Sequence, residues 1–108
     1  MKAIIGEKLY DTEKSKLLFS FIRNFPIVGK IFGIDYTHSC WRDVDLYVTK
    51  KQNYFIHVKQ ANDDENSSVS FGKLKEYLEE ISIKEAKRIV QTLDPDKAIE
   101  LFGQVEEA

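Results

Sequence analysis

The chain has 108 residues, 43% hydrophobic and 31% charged, with a net charge of -2 and one cysteine. That length supports one domain with a single modest core, the composition excludes a disordered chain, and one cysteine allows no internal disulfide. No apolar run approaches the roughly 20 residues of a membrane-spanning helix and no signal-peptide pattern opens the sequence, so a cytoplasmic protein with no membrane contact is expected.

In chain order, Gly6-Glu7 sits between Ala3–Ile5 and Lys8–Tyr10 and predicts a small hairpin. Asp11 or Thr12 then offers a capping oxygen, and Leu17, Leu18, Phe21, Ile22 and Phe25 fall on one stripe of a helix that Pro26 ends near Asn24. "FPIVGKIFGID" is apolar but fits neither period, because Gly29 and Gly33 interrupt it; a core-covering connection is expected there, with an exposed hydrophobic contact loop as the alternative. From Trp41, Val44, Leu46 and Val48 alternate with Asp43, Asp45 and Tyr47, and after "TKKQN" the run "YFIHVKQ" alternates again. The register that keeps apolar residues together sets Val48 against Ile56, Leu46 against Val58, Tyr47 against His57 and Asp45 against Lys59. The loop is then odd in length, Lys51-Gln52-Asn53, with Asn53 left-handed. Residues 62–68 read as a polar loop, and "VSFGKLKEYLEEI" is ambiguous. Ser82-x-x-Glu85 is a capping box for a helix with Ile83, Ala86, Ile89, Val90 and Leu93 inward. Asp94-Pro95 opens a second helix that Gly103 stops. The expected fold is α+β in a single domain, residues 1–108: a small antiparallel sheet of hairpins, an N-terminal helix and a C-terminal helical pair.

Asp35, His38 and Cys40 tempt a metal or thiol reading. A structural zinc needs four ligands, and one Cys with two His supplies too few; a catalytic thiol needs a base that nothing local provides. No phosphate loop, nucleophile elbow or dinucleotide fingerprint is present. No enzyme, metal or cofactor is expected. Residues 1–59 carry a charge balance of +4 and residues 60–108 one of -6. Lysine dominates the basic half, with only three Arg in the chain, and the pI is near 5.7. Direct nucleic-acid binding is therefore not expected.

"KLYDTEKSKLL", "LYVTKKQNYFIH" and "ISIKEAKRIVQTLDPDKAIELFGQVEE" together resemble a group of small proteins of Firmicutes and their mobile elements. In that group a "LYDT" hairpin and helix lead to a "TLYRTKKGEYFLH"-like hairpin, then a "LSEEEAKEW"-like helix and an "IFGEVEE" ending. The resemblance covers most of the chain, departs at "FPIVGKIFGIDYTHSC", and favours a strand near Tyr77–Ile81. Relatives on phages and conjugative elements look like defence-system antagonists, anti-CRISPR proteins among them. What the resemblance implies is a small non-enzymatic inhibitor that binds a protein target, such as a type II CRISPR effector nuclease; the alternative is an accessory domain without antagonist activity. The expected contact surface is acidic: Asp43 and Asp45 on the hairpin face, Asp63, Asp64 and Glu65 on the next loop, with Tyr47 and Phe55 as aromatic anchors; the alternative is a solvated acidic edge that contacts no partner.

Overall fold

The computed structural model describes residues 1–59, 76–104 and 106. Strands β1 (Lys2–Ile5) and β2 (Lys8–Asp11) form the expected hairpin, with Gly6 and Glu7 both at positive φ, 54° and 68°, as a tight two-residue hairpin turn requires. The Asp11 carboxylate then accepts from the Glu13 amide at 3.0 Å, but the cap serves only a short 3₁₀ turn, Thr12–Lys14.

The N-terminal helix does not form. Residues Lys16–Asn24 are instead strand β3, paired antiparallel with β6 (Trp41–Val48). The helical stripe was a coincidence of a segment apolar at most positions. A bulge between Leu17 and Phe19 leaves Leu18 unpaired, so Leu18 and Phe19 both turn to the core. Beyond it Phe19, Phe21 and Arg23 alternate with Ser20, Ile22 and Asn24, a two-residue period that the Phe-rich composition favours.

"FPIVGKIFGID" is not a core-covering connection either. Strands β4 (Ile27–Ile31) and β5 (Ile34–His38) pair with one another, turning at Phe32-Gly33, both at positive φ, 51° and 78°. The register explains their placement. Asn24 opposes Trp41, Ile27 opposes His38 and Ile31 opposes Ile34, so every pair beyond the bulge keeps the same sum of positions. Lys16 to Val48 is thus one long hairpin whose lower half joins the sheet and whose upper half forms a separate two-stranded ribbon.

Strands β7 (Tyr54–Val58) and β8 (Tyr77–Ile81) complete a four-stranded antiparallel sheet in the order β3-β6-β7-β8. The strand at Tyr77–Ile81 lies where the resemblance placed it. The β6–β7 faces are those expected, but the register differs by two residues: Leu46 opposes Ile56 and Asp45 opposes His57. Thr49 closes the turn earlier than anticipated. Its amide donates to the Asn53 carbonyl, its carbonyl accepts from Gln52, and its hydroxyl accepts from the Asn53 amide at 3.1 Å. The loop is still three residues, Lys50-Lys51-Gln52, and the left-handed residue is Gln52, φ 66°, rather than Asn53.

Helices α1 (Ile83–Leu93) and α2 (Pro95–Phe102) cap as the sequence predicts: Ser82 Oγ accepts from the Glu85 amide and the Asp94 carboxylate from the Lys97 amide, each at 3.1 Å. They cover one sheet face, where Val44, Leu46, Ile56 and Val58 meet Ala86, Val90 and Ala98. Each of those four strand residues is fully buried and contributes about 1.5–3 kcal/mol. The β1–β2 hairpin covers part of the opposite face, packing Tyr10 on Phe55 and Leu78.

Candidate functional site

Asp43, Asp45, Tyr47 and Phe55 share a sheet face, as expected, but they are not presented as one patch. Asp43 is exposed. Asp45 is only 7% exposed and spoken for: Ser20 Oγ donates to it at 2.7 Å and Lys59 Nζ lies 3.2 Å from its other oxygen. This contact raises the Lys59 pKa. Phe55 is a correction. It is fully buried, edge-on to Tyr10 at 5.2 Å and stacked on Tyr47 at 5.3 Å, so it anchors the N-terminal hairpin rather than a partner. Tyr47 is half-buried in the same stack, and burial, then Asp45, pushes its phenol pKa up. Asp63, Asp64 and Glu65 lie outside the described residues. His57 faces Asp45 rather than Tyr47 and contacts the Glu76 carboxylate.

Asp35 and His38 belong to β5, and Cys40 stands at the joint before β6. Among the described residues no three His, Cys, Asp or Glu side chains gather as a metal site. At the end of the sheet away from the ribbon, Lys8, Lys14, Lys50 and Lys51 line a cleft of about 440 Å³, together with Glu7 and Asp11.

The prominent feature is the ribbon, which we call the arm. At its base the Phe25 amide donates to the Cys40 carbonyl at 2.7 Å and the Cys40 amide to Asn24 Oδ1 at 3.1 Å. Pro26 then interrupts the ladder, having no N–H to give. Among the described residues the arm has no third strand, and neither Phe32 nor Ile34 joins a core cluster. Lys30 and Asp35 oppose one another across it, 3.7 Å apart, and neutralise each other. Its tip is Phe32, 99% exposed, followed by Ile34 at 71%. Beside the base, Ile22, Trp41, Ile89 and Leu93 line a mainly apolar groove of about 340 Å³, rimmed by Arg23 and Arg88. Both arginines are held by the Glu85 carboxylate, at 3.6 and 2.8 Å, and this contact with Arg88 lowers the Glu85 pKa.

Sequence reasoning missed the arm because the residue before Gly33 is Phe, where a tight hairpin turn favours Asn or Asp. The signal available was the two-residue spacing between the β-branched runs on either side. No protein-family model, no curated protein and no solved structure matches the chain.

Proposed function

We propose that the chain is a small non-enzymatic inhibitor, carried by a phage or mobile element, that binds a protein target through its β4–β5 arm. Phe32 carries the reading. A left-handed backbone costs a bulky L-residue about 1–2 kcal/mol, and a ring that is 99% exposed recovers none of it within this chain. Buried in a partner, the same ring would return about 2–3 kcal/mol. The arm's internal charge balance suits a protein surface better than a phosphate backbone.

The resemblance to mobile-element proteins supplies the target class, a type II CRISPR effector nuclease. Exposed Asp43, Glu76, Glu79 and Glu80 add carboxylates that attract a basic groove and speed association. Purified, guide-loaded type II effector tests both parts. The expected result is complex formation and slowed DNA cleavage, with binding lost for Phe32→Asn. No complex with the parent protein removes this target; a complex that Phe32→Asn leaves intact removes the arm.

A further inference from the structure

We infer that two copies of the free protein pair through their arms, each placing Phe32 in the groove at the base of the other's arm. This goes beyond the inhibitor reading and does not depend on any target. The plug and the socket are both on the chain: a phenyl ring at the tip, and an apolar groove lined by Ile22, Trp41, Ile89 and Leu93 at the base. The chain cannot join its own pair. Eight residues of extended strand separate Asn24 from Phe32, about 25 Å.

A second copy meets both needs at once. Two arms laid antiparallel about a twofold axis bring each tip to the other's base, because the tip-to-base distance is the same in both. Such a contact is self-complementary and closes at two subunits. The Lys30–Asp35 pair leaves each arm neutral, so the arms do not repel. The area suffices as well. Phe32 and Ile34, with Trp41 at 65%, Ile22 at 60% and Leu93 at 53% exposure, offer roughly 700 Å² of apolar surface per copy. A standard interface takes about 800 Å² per partner, part of it backbone. A lone two-stranded ribbon is also marginal in water, and added strands steady it.

Trp41, the only tryptophan, lies in the groove and reports the docking. Sedimentation equilibrium, with tryptophan emission recorded across the same dilution series, should give a reversible dimer whose Trp41 emission shifts to the blue on association. Phe32→Asn and Leu93→Asn should each stay monomeric at concentrations where the parent is dimeric, while circular dichroism shows both folded. An equimolar mixture of the two should recover association of intermediate strength, since one tip and one groove remain intact in the mixed pair. Leu9→Asn, an exposed change on the N-terminal hairpin, should dimerise like the parent. A monomer at every concentration overturns the inference. So does a dimer indifferent to Phe32→Asn, or one that leaves Trp41 emission unchanged.

Discussion

The Phe25 amide donates to the Cys40 carbonyl at 2.7 Å, and at this pair one continuous hairpin passes from sheet to arm. Asn24 braces the joint by accepting the Cys40 amide in its side chain. Asn24→Ala removes that acceptor and should cost about 1 kcal/mol. Amide exchange over residues 27–38 should quicken while Leu46 and Ile56 stay protected. Arm amides that exchange as before would show that Asn24 does not hold the joint.

Core and surface should separate sharply along β6. Leu46→Asp or Val44→Asp places an unpaired charge among fully buried side chains and should unfold the protein at ordinary temperature. Phe55→Ala should cost about 3–5 kcal/mol by opening a cavity under the N-terminal hairpin. Asp43→Ala, by contrast, should change stability by no more than about 0.5 kcal/mol. Urea unfolding of the variants checks all three, and a benign Phe55→Ala would contradict its role in joining hairpin to sheet.

Alkali should destabilise the fold. Burial is the first cause that raises the pKa of Tyr10, Tyr47 and Tyr77, with Glu80, Asp45 and Glu79 respectively adding to it; bonding to Asp45 raises that of Lys59. A raised folded pKa contributes stability that is complete below the ordinary value, 10.0 for tyrosine and 10.5 for lysine, and disappears as pH climbs through the folded value. Stability should therefore be level approaching pH 10 and fall above it. Tyr10→Phe removes a buried hydroxyl that lies beside Glu80, and should flatten that fall. Thermal melts across this range would contradict the account if stability rose with pH or Tyr10→Phe steepened the loss.

At a dilution where the parent is also monomeric, Phe32→Asn should make the isolated protein more stable, by about 0.5–1 kcal/mol, because asparagine tolerates the left-handed turn better and Phe32 packs on nothing in the core. A gain in melting temperature is the expected reading. A loss would mean that the ring supports the monomer, and the strain argument for a partner would fail.

Much of the fold was legible where one local rule acted alone. Gly6-Glu7 specified its turn, alternation in Val44-Leu46 and Ile56-Val58 specified faces, and Ser82 and Asp94 specified helix starts through their own side chains. Residues 16–24 were not, because the same apolar residues satisfy a helical stripe and a bulged strand, and pairing with β6, distant in sequence, decides between them. The acidic site was half legible. Parity put Asp43, Asp45, Tyr47 and Phe55 on one face, but it is packing by Tyr10 and Tyr47 that buries Phe55, and it is Ser20 and Lys59 that engage Asp45. The arm escaped because Phe32 occupies a left-handed turn position where Asn or Asp would have signalled a hairpin.

The central claim is that the arm is the target-binding element, and the most direct measurement is a calorimetric titration of guide-loaded type II effector with parent protein and with Phe32→Asn. The account predicts a stoichiometric complex with the parent and at least a tenfold weaker one, about 1.4 kcal/mol, with the variant. Equal affinity for parent and variant would contradict it.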